Sequence, residues 1–330
     1  MSSPLLPIDD INDYLLSTVG ITFIILGTIG NLSNIILFTQ RSLRTLSTCI
    51  TYLLAASIAN IIDIYSYILL RALYGFNITP AYSSSIVCKL QLYLFYASFC
   101  TSSWFMVGCC ADRYFSSSHN AILRRYSCMR TTLRMILFII IFISLVYAQV
   151  FYCYDANQFN RPSLCFIRNN VCLILDTAYY FIFQCFGPPI CMFIFGIGTF
   201  IHIRRGEQIR IEARNRANVN IIERLPIHIV KLRKNNRKIL PMLIAQIILY
   251  IFCSLPLMFY KIYSTLQISI IRNNIPLPVE NLYLSIAILL SFIDKIFSFY
   301  IYTLSSVYFR TELIRFLTQR CLRRRIVPEN

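Results

Sequence analysis

The chain has 330 residues, of which 57 % are hydrophobic and 14 % are charged. That apolar share exceeds the usual share in soluble domains and indicates an integral membrane protein. The formal net charge of +17 does not indicate a nucleic-acid partner, because the basic residues flank apolar segments and no soluble basic domain accompanies them.

The basic residues are distributed unevenly about seven apolar segments of membrane-spanning length. If the chain starts outside, 24 of the 31 Lys and Arg residues fall on the inner side, and the other 7 lie outside or within the helices. Positively charged loops stay in the cytoplasm, so this asymmetry predicts an extracellular N-terminus and an inner surface that faces anionic lipid. We therefore predict an all-α membrane protein, a seven-transmembrane helix bundle with its N-terminus outside.

The start of the chain is short and acidic. Residues 1–17 have no basic n-region, so we expect an extracellular N-terminus and not a cleaved signal peptide. The first helix is predicted over residues 18–38 and contains Gly30-Asn31. A buried amide needs a partner, so Asn31 should face the other helices.

The second helix is predicted over residues 48–73. It contains Asn60 and, about one turn closer to the outer side, Asp63. An ionisable side chain within a membrane helix is costly and therefore faces the bundle interior. The first outer loop then contains Asn77-Ile78-Thr79, a sequence that accepts N-linked glycans, so Asn77 is a glycosylation candidate.

The third apolar segment runs from Cys88 to the triplet Asp112-Arg113-Tyr114. As a helix with a rise of ~1.5 Å per residue, the stretch from Cys88 to Arg113 spans about 38 Å, enough to cross a ~30 Å hydrocarbon core with tilt. A cysteine therefore marks its outer end, and an acid–arginine pair marks its inner end.

The fourth and fifth helices are predicted over residues 133–152 and 176–203. The outer loop between them holds Cys165 and Cys172. The fifth helix contains Pro188-Pro189, which removes backbone hydrogen bonds and predicts a kink.

The third inner loop, residues 204–236, is basic and contains no Ser or Thr. Phosphorylated clusters would therefore have to form in the second inner loop, at Ser116, Ser117 and Ser118, or near residues 42–48.

The sixth helix is predicted over residues 237–265 and contains Cys253-Ser254-Leu255-Pro256. The seventh is predicted over residues 282–306; it contains Asp294-Lys295 and ends with the stretch from Ser298 to Tyr302. Both helices thus place polar residues at membrane depth, where such residues mark functional positions.

Residues 307–330 form the predicted inner tail. Phe309-Arg310 would open a short amphipathic helix that reaches Cys321, followed by Arg323-Arg324-Arg325. A cysteine close to the membrane and beside basic residues is a palmitoylation candidate.

Six of the thirteen cysteines lie inside apolar runs. There, a free thiol behaves as a small hydrophobic group. These cysteines are Cys100, Cys109, Cys110, Cys185, Cys191 and Cys253.

The motifs and their order resemble the rhodopsin-like (class A, family 1) G-protein-coupled receptors over nearly the whole chain. The residues that carry the resemblance are Gly30-Asn31, Cys88, Asp112-Arg113-Tyr114, one of Pro188 and Pro189, Pro256, Tyr302 and Phe309-Arg310. The chain departs from the family pattern by having Asn60 in place of an aspartate, no tryptophan in the fourth helix, Ser254 in place of a tryptophan, and Ser298-Phe299 in place of Asn-Pro. We therefore expect a divergent receptor of peptide or chemosensory type, of the kind expanded in some invertebrates.

The resemblance implies a multi-pass receptor of the plasma membrane that activates a heterotrimeric G protein through residues 18–306. Arg113 would meet the G protein, with Asp112, Tyr114 and Tyr302 taking part in activation. The family latches this arginine with a glutamate at the position of Asn236, so a weakly latched inactive state is expected.

The resemblance also implies a disulfide between the outer end of the third helix and the second outer loop. The family's loop cysteine lies well before the helix-five proline. Cys165 precedes Pro188 by 23 residues and Cys172 precedes it by 16. The implied pairing is therefore Cys88 with Cys165.

The resemblance places a ligand cavity at the outer side. Amine receptors of the family have an aspartate where this chain has Phe95, so an ammonium ligand would lack its counter-ion. Arg71 and Lys261 beside aromatic residues favour a small peptide or another ligand with a carboxylate or amide, unless these two cations snorkel to lipid headgroups. The implied ligand-binding residues are Arg71, Gln91, Phe95, Tyr96, Phe99, Tyr180, Gln184, Met258, Lys261, Ile288 and Phe292.

A polar pocket is implied in the middle of the bundle, where the family holds a sodium ion. An isolated charge at this depth costs at least ~2.5 to 3.5 kcal/mol on insertion scales. Lys295 is therefore expected to neutralise Asp294, or else Asp63, in place of sodium; the alternative is a lysine that only anchors helix packing. The implied pocket residues are Asn31, Asn60, Asp63, Ser102, Asp294, Lys295 and Ser298.

Three other functions stay open. A non-signalling decoy receptor would bind the same ligand. A transporter should show internal repeats, which the chain lacks, and a retinal-binding opsin would need its lysine about one turn further out than Lys295. An enzyme is excluded, because His119, His202 and His228 are scattered and no nucleophile–base pair or metal-ligand spacing occurs, so neither a cofactor nor a metal is expected.

Overall fold

A computed structural model describes residues 6–40, 43, 47–76, 78, 84–156, 165–215, 227–269, 276–305, 309–316 and 318 of the chain. Within those ranges, the side chains of residues 6, 7, 9, 207, 209–215, 227–242, 267–269 and 277 lie outside the description. Asn77 and Cys321 therefore lie outside the described residues, as does the side chain of Asn236.

The described chain is almost entirely helical. Its helices are α1 (Leu6–Phe38), α2 (Cys49–Tyr74), α3 (Ser85–Ser117), α4 (Ala121–Arg125), α5 (Met129–Tyr147), α6 (Val150–Cys153), α7 (Asn170–Tyr180, Phe181–Phe186 and Gly187–Asn215), α8 (Ile227–Ser269), α9 (Leu277–Ile296) and α10 (Ser298–Ser305). Residues 309–316 are helical as well. Within the described ranges, six helical segments are long and apolar enough to cross a membrane, and α9 with α10 forms a seventh if this bent pair counts as one span.

Helix α3 is the most enclosed of these spans. In its apolar window 67 % of residues are buried, against 28 % in the α5–α6 segment and 22 % in α7. α3 therefore forms the axis of the bundle and packs against α2, α5 and α7, while α5 and α7 keep most of their apolar surface for lipid. We name the two ends of the bundle the Cys88 end and the Arg113 end, after residues near the two ends of α3.

Helix α1 is longer than the sequence predicted. It begins at Leu6 and not near residue 18, so the end of the expected extracellular segment belongs to the helix. Its early turns pack closely on the end of α2, where a Cβ on Gly75 would lie 2.5 Å from the carbonyl oxygen of Asp13. Glycine permits this approach because it has no side chain. The packing partner, and not local sequence, thus extends α1.

A π-helical turn precedes the prolines of α7. Pro188 has no N–H to donate to the carbonyls four and five residues before it, those of Gln184 and Phe183. Side-chain donors from other helices bond to these carbonyls instead. Trp104 Nε1 donates to the Phe183 carbonyl at 2.9 Å, and the Tyr250 hydroxyl donates to the Gln184 carbonyl. The carbonyls that proline leaves free therefore tie α7 to α3 and α8.

The seventh span is bent, although it contains no proline between α9 and α10. The two helices meet at 45° around Phe297. The carbonyl of Lys295 accepts hydrogen bonds from Asn31 Nδ2 at 3.2 Å and from Ser298 Oγ at 3.1 Å. Side chains that insert into the backbone ladder bend a helix, so Asn31 and Ser298 account for the bend.

The Cys88 end carries an antiparallel hairpin that the sequence did not predict. Strand β1 (Tyr154–Asp155) pairs with strand β2 (Phe166–Ile167). Ser85 Oγ donates a hydrogen bond to Asp155 at 2.5 Å, and this bond holds the pKa of Asp155 below its usual range. The hairpin is thereby attached to the first residue of α3.

Two disulfides fasten the hairpin at the starts of its strands. Cys88 bonds to Cys165, which is the pairing that the resemblance implied. Cys153 bonds to Cys172, a second link that the sequence did not predict. β1 follows Cys153 directly and β2 follows Cys165 directly, so both strands are held against the helices.

A third disulfide joins Cys49 to Cys109, between α2 and α3. The expectation that Cys109 is a free thiol is therefore wrong, because helix packing brings it beside a cysteine 60 residues away. The free cysteines among the described residues are Cys100, Cys110, Cys128, Cys185, Cys191 and Cys253.

Candidate functional site

A cavity lies among the helices at the Cys88 end, beside strand β2. It encloses about 590 Å³ of empty space, its open mouth included. Aromatic and aliphatic side chains make most of its wall, which is the usual composition of a ligand site. Its described lining consists of Tyr67, Arg71, Leu92, Phe95, Tyr96, Tyr154, Cys165, Phe166, Ile167, Leu173, Leu257, Tyr260, Lys261, Leu284 and Ile288.

The cavity contains five of the eleven residues that the resemblance assigned to the ligand. These five are Arg71, Phe95, Tyr96, Lys261 and Ile288. The residues that do not line it are Gln91, Phe99, Tyr180, Gln184, Met258 and Phe292. The π-helical turn Phe181–Phe186 contains Gln184 and lies between Tyr180 and the prolines, and its wider winding rotates both residues relative to the prolines.

Lys261 is paired inside the protein. Its Nζ contacts Oδ2 of Asp176, which links α8 to α7, and lies 3.4 Å from the hydroxyl of Tyr96. The side chains of the lysine and the aspartate are 9 % and 2 % exposed. Lys261 therefore does not snorkel to lipid headgroups, and its charge is compensated before any ligand arrives.

Arg71 is held against the wall of the cavity. Its Nε and Nη2 donate to the hydroxyl of Tyr67 at 3.1 Å and 2.9 Å. The side chain is buried, so the snorkelling alternative does not describe Arg71 either. A guanidinium carries five N–H donors, and the two bonds to Tyr67 fix the direction of this fork.

Four aromatic rings separate the cavity from the middle of the bundle. Tyr67 stacks on Phe95 with ring centroids 4.0 Å apart, and Phe95 lies 5.8 Å from Phe292. Phe99 lies 5.6 Å from both Phe95 and Phe292. We call these four residues the aromatic layer. Its upper rings, Tyr67 and Phe95, line the cavity, so a ligand would press directly on the layer.

Below the aromatic layer, a chain of hydrogen bonds crosses four helices. Ser102 Oγ donates to Asn60 Oδ1 at 2.5 Å, and Asn60 Nδ2 donates to Asn31 Oδ1 at 3.1 Å. Asn31 Nδ2 in turn reaches the carbonyl of Lys295. Asn34 Nδ2 adds a bond to Ser298 Oγ at 3.2 Å. The amides of Asn31 and Asn60 thus bond to each other, and the chain of hydrogen bonds joins α1, α2 and α3 to the bent span.

Lys295 is the buried cation of this region, and its side chain is 2 % exposed. Its Nζ lies 3.9 Å from Asp294 Oδ2, 3.4 Å from the carbonyl of Phe99 and 3.9 Å from the centroid of the Phe99 ring. Asp63 accepts instead from Ser98 Oγ at 3.1 Å. Lys295 therefore pairs with Asp294, and the alternative pairing with Asp63 is not the one observed.

A second, narrow cavity lies beside Lys295; its empty space of about 350 Å³ includes the gaps between the lining atoms and the opening to solvent. Asn60, Ser102, Asp294, Lys295 and Ser298 line it together with Tyr302. Five of the seven residues of the predicted polar pocket therefore share one space, while Asn31 and Asp63 stand behind its wall. The space continues toward the Arg113 end as far as Tyr302, whose hydroxyl lies 3.7 Å from Met106 Sδ.

The Asp112-Arg113 pair ties three segments together at the other end. Asp112 Oδ1 accepts hydrogen bonds from Thr48 Oγ1 at 2.5 Å and from Ser127 Oγ at 2.7 Å. Arg113 Nη2 lies 3.9 Å from Asp112 Oδ2, and both side chains are buried. Asp112 thus connects α3 to the start of α2 and to the turn before α5.

Tyr114 packs on the neighbouring helix. Its ring stacks on His202 of α7 at 4.9 Å between centroids. A Cβ on Gly198 would lie 2.6 Å from the Tyr114 ring, so only glycine admits this contact. The sequence assigned Tyr114 to activation, and the structure places it between α3 and α7.

Sequence reasoning missed four contacts of the site, those of Asp176, Tyr250, Thr48 and Ser127. Asp176 had a signal, because an acid at the edge of an apolar run requires a cationic partner. The three hydroxyl residues had none, since hydroxyls are common in loops and helices. Their roles depend on which carbonyl or carboxylate the fold brings to them.

The comparisons with known proteins agree with these observations. The family model described as 7 transmembrane receptor (rhodopsin family) matches residues 31–312. A comparison with curated proteins finds no match. The family match covers far more than half of the chain and includes the cavity, the polar pocket and the Asp112-Arg113 pair. The chain belongs to the rhodopsin family of seven-transmembrane receptors.

Proposed function

We propose that the chain is a plasma-membrane receptor that binds a small extracellular peptide at the Cys88 end and activates a heterotrimeric G protein at the Arg113 end. The observation that carries the proposal is the aromatic layer. Its upper rings line the cavity, and Phe99 below contacts Lys295 in the polar pocket. Because the layer is packed ring against ring, a ligand that moves Phe95 or Tyr67 also moves Phe99 and Phe292.

The charge of the cavity favours a carboxylate-bearing ligand over an amine. Its described lining includes two cations, Arg71 and Lys261, and no acid. The nearby carboxylate of Asp176 is 2 % exposed and is occupied by Lys261. A peptide whose carboxylate contacts Arg71 and whose apolar side chains pack on the aromatic wall would match both the positive charge and the apolar lining of the cavity.

The orientation follows from charge. The inner loops and tail hold most of the basic residues, and cytoplasmic loops retain such residues. Arg310 and Arg315 are exposed on the helical stretch 309–316, where they would face anionic lipid. The Arg113 end would therefore lie in the cytoplasm, and the disulfide-tied hairpin would lie outside.

The receptor would signal partly without ligand. The family's latching glutamate is replaced by Asn236, which is followed by Arg237 and Lys238. A neutral amide beside like charges supplies no ion pair for Arg113. Arg113 would meet the G protein when α8 moves outward.

The test is a peptide library applied to cells that express the receptor, with calcium and cyclic nucleotide recorded together. An active peptide with a free carboxylate should lose at least about tenfold in potency when amidated or when Arg71 is replaced by Gln, as expected for a charge-assisted bond. Lys89→Gln, a charge change at the same end outside the cavity lining, is the matched control.

Two further outcomes are decisive. Arg113→Gln should abolish the response and leave peptide binding in place. Binding without any response in the unmutated receptor would instead support the decoy alternative, and a response confined to amines would contradict the proposed ligand class.

A further inference from the structure

The turn between α4 and α5 contains a hydroxyl that the proposed function does not use. Ser127 lies in this turn, between Arg125 at the end of α4 and Met129 at the start of α5. Its Oγ donates to Asp112 Oδ1 at 2.7 Å and lies 3.1 Å from Thr48 Oγ1. Ser127 therefore ties this turn to the acid of the acid–arginine pair.

Two arginines shortly precede Ser127 in the sequence. The sequence reads Arg124-Arg125-Tyr126-Ser127, with arginines three and two residues ahead of the serine. Ser127 is half-buried, whereas Arg125, Tyr126 and Cys128 are exposed. Protein kinases select substrates by charge pattern, and an acidic kinase cleft binds arginines at these two positions.

We propose that Ser127 is a phosphorylation site for a Ser/Thr kinase with an acidic substrate cleft, and that its phosphate detaches this turn from Asp112. In the reaction, Ser127 Oγ attacks the γ-phosphorus of Mg-ATP and forms the new P–O bond. The bond from the γ-phosphorus to the β–γ bridging oxygen breaks, and ADP leaves with the electron pair. The hydroxyl proton goes to the kinase's carboxylate base.

Opening this turn requires little free energy. Helix α4 has five residues and none of them is buried, so few packing contacts oppose its local unfolding. Unfolding α4 releases Arg124 and Arg125 and allows the turn to swing away from Asp112. The kinase then receives an extended segment with both arginines and the serine.

Other hydroxyls near the Arg113 end are less suitable. Ser117 and Ser118 are 2 % and 4 % exposed, and Thr132 is 2 % exposed. Ser116 is also part of α3, where its Oγ donates to the carbonyl of Arg113 at 3.1 Å. The clusters at Ser116, Ser117 and Ser118 that the sequence offered therefore lie in or against the body of the bundle.

Phosphate at Ser127 cannot coexist with the present contact. It adds about −1.5 to −2 charges at pH 7, and the Asp112 carboxylate lies within 2.7 Å of the oxygen that would carry it. Asp112 is buried, so water screens the repulsion poorly. The turn would leave Asp112, which keeps Thr48 as its donor, and the surface beside Arg113 would change shape.

The labelling experiment does not depend on the ligand or on a G protein. Purified full-length receptor in nanodiscs is incubated with a kinase that requires arginines before serine and with radiolabelled Mg-ATP, and labelled peptides are mapped by mass spectrometry. Ser127 should be the labelled residue. Arg125→Gln should slow labelling at least about tenfold, as the loss of a charge-assisted contact predicts, whereas Arg130→Gln should not. Ser127→Thr should retain labelling and Ser127→Ala should lose it.

Labelling that survives Ser127→Ala, or that is indifferent to Arg125→Gln, would overturn the assignment.

The consequence for signalling rests on the proposed function and is measured separately, as nucleotide exchange on purified G protein. Phosphorylated receptor should stimulate exchange about tenfold less, within the usual range of coupling between sites. Kinase-treated Ser127→Ala receptor should be unchanged. Full phosphorylation without any change in exchange would refute the detachment of the turn, while a receptor that activates no G protein would refute only the proposed function.

Discussion

Two lysine–aspartate pairs lie at different depths of the bundle and are built differently. Lys261 and Asp176 belong to separate helices and make direct contact, although 85 positions separate them in the chain. Lys295 and Asp294 are neighbours on α9, and their charged atoms are 3.9 Å apart. Adjacent residues on a helix point about 100° apart, so neighbours in sequence cannot meet face to face.

The difference in geometry leads to a difference in behaviour. The Lys261–Asp176 pair satisfies itself and ties two helices beside the ligand cavity. The lower pair leaves Asp294 Oδ1 without a hydrogen-bond partner in the described part of the chain, and the same holds for Asp63 Oδ2. The upper pair should therefore respond most strongly to loss of a partner, whereas the lower acids should bind another cation once Lys295 is removed.

Lys261→Met should give the largest loss of stability. It leaves the buried carboxylate of Asp176 without its counter-ion, and breaking a buried pair from one side costs about 3 to 5 kcal/mol. The double variant Asp176→Asn with Lys261→Met should recover most of that loss, because no charge is left unpaired. The check is the thermal unfolding of purified receptor; equal melting temperatures for the single and double variants would remove the ion pair from the explanation.

Lys295→Met should make the receptor sensitive to sodium. The unmutated receptor should melt at the same temperature in sodium as in choline at equal ionic strength, because Lys295 already supplies the cation. In the variant, a bound sodium ion should stabilise the fold by up to about 2.7 kcal/mol at a hundredfold excess over Kd. A sodium-specific shift in the unmutated receptor would show that the lysine does not occupy the place of the ion.

Asn236→Glu should give Arg113 a partner of opposite charge, because the resemblance places the latching glutamate of the family at position 236. A new latch should lower ligand-free signalling at least about fivefold, the lower limit of typical coupling energies. Basal nucleotide exchange measures it, and Asn236→Gln is the control of equal length without charge. Unchanged basal exchange in the glutamate variant would refute the missing-latch argument.

Tyr250→Phe should have the smallest effect of the four. It removes the hydroxyl that donates to the Gln184 carbonyl but keeps the ring, which lies 6.0 Å from Lys295. The expected loss is about 1 kcal/mol, that of one hydrogen bond. Tyr283→Phe is the control, because its hydroxyl donates to the Pro256 carbonyl from an exposed position and water can replace it. An equal loss in both variants would mean that the bond to the Gln184 carbonyl, which Pro188 leaves free, stabilises the fold no more than the exposed bond to the Pro256 carbonyl does.

The helices and the family could be predicted because membrane insertion leaves a strong local signal. A span needs about 20 apolar residues, and loops carry charge according to their side. Both signals are read along the chain without knowing which helix packs against which. The positions of Cys88, Arg113 and Tyr302 relative to their helices could be read in the same way.

The partners of individual side chains could not be predicted so well. Tyr180 and Gln184 were assigned to the cavity by position, but a π-helical turn in α7 changes their facing. α1 extends to Leu6 because it has α2 to pack on, and Cys109 is bonded because Cys49 lies beside it. Each of these outcomes depends on a second segment far away in the chain.

The sequence alone is enough to assign the membrane spans, the sites of polar residues at membrane depth and the excess of positive charge on one side. Tertiary packing alone decides that Lys261 meets Asp176, that Lys295 rests on Phe99 and that Asp112 holds both Thr48 and Ser127. The physical reason is the rotation of each helix about its axis. One residue of register turns a side chain by about 100°, and only contact with the neighbouring helices sets that register.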